Sequence, residues 1–477
     1  MSDPLSVLSL AVAARGGSVN GLPTAQLVAA GTTLLQRCPP LVRALAGRRS
    51  AVLLPTGHAY LTALAASEGR GAVLVNPLAA PPEIAYQLRD AGVGAVFTSS
   101  ALAERLPSGI VRVHLDDAPR SARVVYGGES RDIDLGSHVG LELAGEVDAP
   151  GRDEEAVIVY TSAMAGTPLG AILTHRNLLA NARSTVEAAS NDARDHVYAA
   201  LPFSHLFGFV VTGLAPLLAG ARVTAPERFH PVRAIEAMET EGITEIVGVP
   251  AIFRALVAAL ERRGTPLAAP ALRLCICGGA PLAEALQARW AELTGVELHQ
   301  GYGLTEGGPV CLFNPADRPN ARGALGVPFP GVEVSVRDAA TGTALADGAV
   351  GELCVRGDSV SPGYVRGGDA GLGRRDGWLR TGDLASRRAD GTFVFAGLLK
   401  PMVTRNGFNV YPREIERAVL ELDGVRAARV SFVPDPEREH DIQLAVTGDV
   451  TPDAVRRWCA SRLGAYKQPG EITVAPA

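Results

Sequence analysis

Residues 156–177 read Ala156-Val157-Ile158-Val159-Tyr160-Thr161-Ser162-Ala163-Met164-Ala165-Gly166-Thr167-Pro168-Leu169-Gly170-Ala171-Ile172-Leu173-Thr174-His175-Arg176-Asn177. The run Ala156 to Tyr160 is short, apolar and largely β-branched, the pattern of a buried strand. A loop of small residues follows, with a helix expected beyond it. Such a loop usually cradles phosphate with its backbone N–H groups. An ordinary β-turn-helix connection has the same look, so this stretch alone leaves both readings open. Similar strands surround it at Ser50 to Leu54, Gly71 to Val75 and Gly94 to Thr98, with helical stretches such as Pro82 to Ala91 between them. Strand and helix in alternation predict parallel sheets flanked by helices.

Further along, the texture changes. From about Gly323 the strands are short and separated by glycine turns: Val332 to Val336, Gly351 to Val355 and Thr392 to Phe395. They fit a small β-barrel or an antiparallel layer. After Gly397 comes a short link, then a helix from Pro412 to Glu421 and strands at Gly424 to Val433 and Asp441 to Val446. The expected fold is α/β: a large N-terminal domain (1–397) of two flanked sheets plus a small β-barrel, and a small mobile α+β C-terminal domain (398–477).

At 477 residues, 47% hydrophobic and 20% charged, the chain has ample core for two domains. A net charge of -5 argues against nucleic acid and against anionic membrane as partners. Six cysteines are scattered without a CxxC pair, as expected of reduced core residues in a cytoplasmic protein. Met1 to Gly17 lacks a secretory pattern, and the apolar stretch Phe207 to Leu218 is too short to span a bilayer. Only two lysines are present, Lys400 and Lys467. Chemistry that needs a lysine therefore has two candidates.

Three further motifs complete the set: Gln300-Gly301-Tyr302-Gly303-Leu304-Thr305-Glu306, Gly377-Trp378-Leu379-Arg380-Thr381-Gly382-Asp383, and Gly397 to Lys400 with Gly407-Phe408-Asn409-Val410-Tyr411-Pro412. Leu201-Pro202-Phe203-Ser204-His205-Leu206-Phe207 and Cys277-Gly278-Gly279-Ala280 accompany them. In this order and spacing they resemble the adenylate-forming superfamily of acyl-CoA synthetases, peptide-synthetase adenylation domains and luciferases, from about residue 50 to about 470. The resemblance implies a C-terminal domain that pivots about Lys400 between an adenylating and a thioester-forming orientation. It implies that Gly278, Gly279, Ala280, Gln300, Gly301 and Gly303 line the AMP site. Tyr302 would stack on adenine, Thr305 would bond phosphate, Asp383 would accept the ribose hydroxyls and Glu306 would hold Mg²⁺. Phe203, His205, Phe207, Val249, Gly303 and Gly308 would form an apolar, fairly open acyl pocket. Gly407 and Phe408 would meet the CoA arm. No residue stands out as a general base for the thiol; His205 is a candidate by position only.

The departures from the family cluster on one half-reaction. In the loop Thr161, Ser162, Ala163, Met164, Ala165, Gly166, the family has a glycine at 163 and hydroxyl residues at 164 and 165. Leu169 stands where the family has a lysine, and Leu398 where it has an arginine. Ten residues follow Lys467, which aligns with a structural motif rather than with the family's C-terminal catalytic lysine. Triphosphate left without donors and cations would bind too weakly by several kcal/mol. The expectation is thioester formation from a ready-made acyl-adenylate and CoA, with Mg²⁺ not required and a separate adenylating enzyme upstream. This resembles the split ligases of diterpenoid antibiotic pathways, which implies a bulky polycyclic acid. A complete ATP-dependent synthetase with an atypical loop and an adenylate-binding pseudoenzyme are the alternatives.

Overall fold

Val157, Ile158 and Val159 lie inside the first of two nine-stranded sheets in the computed structural model, which describes residues 16–67, 71–136, 154–161, 167–367, 373–399, 402–405, 407–435 and 438–476. The heart of this sheet is parallel. Glu155–Thr161 neighbours Ala72–Leu74, then come Arg49–Leu53, Val93–Thr98 and Val111–His114. Strands buried on both faces need continuous apolar runs rather than alternation, and Val93–Thr98 is buried at every position. The second sheet is parallel through Leu298–Gly303, Leu274–Cys277, Glu245–Gly248, His196–Ala199 and Arg222–Thr224. Cys275 and Cys277 are buried, free core residues there.

The loop after Thr161 does not run straight into a helix. Leu169–Thr174 turns back antiparallel, with Leu169 opposite Thr161 and Gly170 opposite Tyr160. Leu169 to Leu173 is itself a strand-forming run, and Gly170 lets the hairpin pack closely: a Cβ there would lie 2.9 Å from Ile158 Cγ2. Helix His175–Ala189 begins only after this second strand. Its N-terminus is closed by Thr174, whose hydroxyl accepts the Asn177 N–H at 3.2 Å. One of the helix's N-terminal N–H groups is thus satisfied by its own cap. Ser162, Ala163, Met164, Ala165 and Gly166 fall outside the described residues.

The glycine-punctuated region forms an antiparallel layer of four strands, in the order Val332–Arg337, Gly351–Gly357, Leu379–Arg387, Phe393–Leu398. Its last strand sets Leu398 opposite Asp383. Lys400 lies outside the described residues. The C-terminal unit stacks helices Pro412–Leu420 and Pro452–Arg462 on the strands Val425–Asp435, Glu439–Gly448 and Glu471–Ala475. It has its own core, including Ile415, Val419, Ile442, Leu444 and Val455. Among the described residues no helix is long and apolar enough to cross a membrane.

Candidate active site

Two neighbouring parallel strands, Leu274–Cys277 and Leu298–Gly303, end side by side. The carboxyl ends of such strands are where open α/β sheets bind ligands. Here they deliver Gly278, Gly279 and Ala280 next to Gln300, Gly301, Tyr302 and Gly303. The crowding explains two of the glycines. A Cβ on Gly278 would meet Gly301 O at 2.9 Å, and one on Gly303 would fall 1.8 Å from Pro309 O. Ala280, Gln300, Thr305, Glu306 and Asp383 share the wall of a cavity of about 1060 Å³. Tyr302 donates its phenol to Asp383 Oδ2 at 2.6 Å. Burial, then the Asp383 charge, raises the phenol pKa, so the donor keeps its proton. Gln300 and Ser204 also line the cavity, and Gln300 Oε1 and Ser204 Oγ are buried without hydrogen-bond partners. Orphaned polar atoms on a cavity wall are suited to a polar ligand.

Glu306 Oε1 accepts two hydroxyls, Tyr364 at 2.7 Å and Thr161 at 3.1 Å. Tyr364 gives no sign of this role in the sequence. It arrives because Gly363–Tyr364 pairs with the edge strand Leu169–Thr174. Among the described residues there is no cluster of three or more His, Cys, Asp or Glu able to hold a metal. A Mg²⁺ ion needs only one or two carboxylates when phosphates supply the rest. Glu306 fits that minimal part and no larger one.

His205 lies at the junction between this cavity and a smaller one of about 80 Å³. Burial lowers its pKa to about 4, so the ring is neutral at working pH. Its Nδ1 accepts the Phe207 N–H at 3.2 Å, which assigns the ring proton to Nε2. A base of that strength removes a thiol proton poorly; a neutral Nε2–H is suited to donate to a carbonyl oxygen. Phe207, Phe313, Phe329 and Val211 stand in the wall of the smaller cavity, together with Thr185, Thr305 and Asn409, and the space is narrow where the expected acyl pocket is fairly open. Two expected members are elsewhere. Phe203 packs edge-on against Tyr60 in the core, at 5.6 Å between centroids. Gly308 faces the backbone of Ser359, where a Cβ would come within 2.2 Å of the carbonyl oxygen. Val249 packs between Gly279 and Gly407.

On the phosphate-loop side the wall carries Leu169, and Leu398 lies near Asp383. Among the described residues four basic side chains line the large cavity, and each has a partner, which for Arg417 is a neutral hydroxyl. Arg380 pairs with Glu352 at 2.6 Å, Arg462 with Glu421 at 3.9 Å, and Arg417 reaches the Thr167 hydroxyl. Lys467 is held between Glu83, at 2.7 Å, and Glu414. Burial disfavours the Lys467 charge, but Tyr466 and the two carboxylates outweigh it and hold the ammonium above its ordinary pKa. Six acidic side chains line the same cavity.

The C-terminal domain closes the site. Gly407, at φ +78°, sits against Val249, whose Cγ1 would lie 2.9 Å from a Cβ. It shares the small cavity with His205, Gly279 and Tyr302. Phe408 lines the large cavity and stacks on Tyr466, at 4.5 Å between ring centroids.

Residues 44–365 match the AMP-binding enzyme family. A feruloyl-CoA synthase from an Amycolatopsis species is 31% identical over 439 residues, 89% of this chain and 84% of that protein. Among solved structures, a malonyl-CoA ligase in a ternary product complex with methylmalonyl-CoA and AMP is 27% identical, with a TM-score of 0.81 over 99% of both chains. ATP-bound MatB from Rhodopseudomonas palustris is 26% identical and covers 100% of this chain and 93% of that one, with a TM-score of 0.69. With most of its length matched, with relatives that are CoA ligases, and with the family's glycine-rich strand ends around one cavity, the chain belongs to the AMP-binding enzyme family.

Proposed function

We propose that this protein forms a thioester from a preformed acyl-adenylate and CoA, releasing acyl-CoA and AMP, without making the adenylate from ATP. The observation that carries this reading is the ionic balance of the large cavity: among the described residues four bases, three of them paired with carboxylates, against six acids. Triphosphate catalysis depends on cations and donors held ready for the β- and γ-phosphates. Here Leu169 replaces the cation, and Lys467 is buried between two carboxylates. An acyl-adenylate carries a single phosphoryl charge and asks less of the site.

For that substrate the residues divide naturally. Tyr302, Gln300 and Asp383 would hold the nucleoside, and Thr305 the phosphate. The thiol would enter past Gly407. Its sulfur adds to the acyl carbonyl, the carbon–oxygen bond to phosphate breaks, AMP departs and the thiol proton passes to water. His205 Nε2–H would stabilise the carbonyl oxygen as charge develops. The mixed anhydride is already activated, so holding the two reactants together supplies much of the rate.

A separate enzyme would supply the adenylate. The complete ATP-dependent synthetase is the second reading, favoured by the ATP-bound relative. One acid tested two ways separates them. Synthetic acyl-AMP plus CoA should give acyl-CoA, and ATP, acid and CoA should not. Pyrophosphate exchange with ATP and the acid would instead establish the second reading.

A further inference from the structure

We infer that Glu439 is a positioning residue for acyl transfer, holding the Gly407 loop and the C-terminal domain against the large domain. This rests on the thioester-forming reading above. Glu439 opens the strand Glu439–Gly448 with φ +73°. That backbone region suits glycine, and the other described non-glycine residues in it are Asn20, Ser190 and Asp376, short polar side chains that tolerate it better. A long side chain kept there is strained, and strain of this kind concentrates at functional positions. The carboxylate turns inward and is 10% exposed.

Its two oxygens face two different bodies. Oε2 accepts the Gly407 N–H at 3.3 Å, within the C-terminal domain. Oε1 faces Arg254 at 3.5 Å, across the domain interface. Arg254 stands on helix Pro250–Arg263, which starts directly after Val249, the residue that Gly407 abuts. The contact to Arg254 is one of charge without a hydrogen bond, and through it one carboxylate links the loop to the helix it packs on. Glu439 itself lines neither cavity. It acts on the thiol path through Gly407 and not by touching the substrates.

The test uses the full chain with synthetic acyl-AMP. Glu439→Gln should raise the KM for CoA by roughly tenfold, with AMP affinity and Tm unchanged. Amide exchange at Gly407 should quicken in the same variant. Glu439→Gly relaxes the backbone, so its Tm should hold or rise while the KM defect stays. The charge exchange Arg254→Glu with Glu439→Arg keeps the ion pair but offers the Gly407 N–H no acceptor, so the KM defect should remain. A wild-type KM together with unchanged Gly407 exchange in Glu439→Gln overturns the inference, as does a lowered Tm with an unaffected KM. If the wild-type protein fails to turn over acyl-AMP and CoA, the thioester reading falls, and Gly407 exchange alone then decides for or against Glu439.

Discussion

Asp383 and Tyr302 form a short contact, 2.6 Å, whose strength comes from an ionised acceptor in a buried place. If this carboxylate also takes the ribose hydroxyls, Asp383→Ala should weaken AMP binding by about 10- to 100-fold, the worth of a hydrogen bond to a charged group. Titration calorimetry measures it, and an unchanged affinity would refute the ribose role. His205 yields a prediction about pH. With a pKa near 4 it is neutral from about pH 5 upward, so the acyl-transfer rate should show no inflection near pH 6.5. His205→Ala should lower kcat by about 100-fold, and His205→Gln, which keeps an N–H donor, should lose much less. An inflection near pH 6.5 that disappears in His205→Gln would restore the imidazole as the base. Asp383 and His205 were legible as candidates from their motifs, and the structure places both on the wall of the large cavity. The sequence was silent on Tyr364, whose link to Glu306 depends on an edge-strand pairing, and it misjudged Phe203 and Gly308, which stand in pocket motifs but turn toward the core and toward Ser359.

Between residues and the whole lie the loops and helices where the two domains meet. Gly407 combines φ +78° with Val249 at contact distance, so Gly407→Leu should abolish thioester formation while adenylate still binds. Turnover that survives this substitution would place the thiol path elsewhere. On the opposite side of the cleft, Lys467 joins Glu83 of helix Pro81–Asp90 to Glu414 of helix Pro412–Leu420. Lys467→Met removes the shared cation and leaves two largely buried carboxylates facing each other, a loss of about 3–5 kcal/mol. The expected result is a lower Tm and faster amide exchange in helix Pro412–Leu420; unchanged values would contradict the triad's part in docking. Most elements were readable because apolar runs bounded by glycine and proline mark strands independently of context. The Leu169–Thr174 hairpin was missed because an apolar run of that length does not reveal whether the chain reverses or continues. Docking by Lys467, Glu83, Glu414, Arg254 and Glu439 joins residues from 53 to 384 positions apart, and no local pattern encodes it.

For the protein as a whole, stability and reaction each have a decisive group. Glu245 is fully buried in the second sheet, where burial raises its pKa to about 7 despite the Asn191 hydrogen bond. The folded value lies above the unfolded one, so its contribution is complete below about pH 4.5 and is lost as pH rises through 7. Glu245→Gln should therefore raise stability above pH 7.5, by an amount on the order of 3 kcal/mol, and should flatten the decline from pH 5 to 8. Denaturant midpoints across that range check it, and parallel curves for the two proteins would contradict it. The proposed reaction turns on how few cations the large cavity offers. Among the described residues Arg380, Arg462 and Lys467 are paired with carboxylates, Arg417 holds the Thr167 hydroxyl and Leu169 adds no charge, while Tyr302, Thr305 and Asp383 line that cavity and Gly407 lines the smaller one beside it. The deciding measurement is acyl-CoA formation from one acid supplied first as synthetic acyl-AMP with CoA, then as free acid with ATP and CoA. The first mixture should give acyl-CoA and AMP and the second none; acyl-CoA and pyrophosphate from the second mixture would contradict the account.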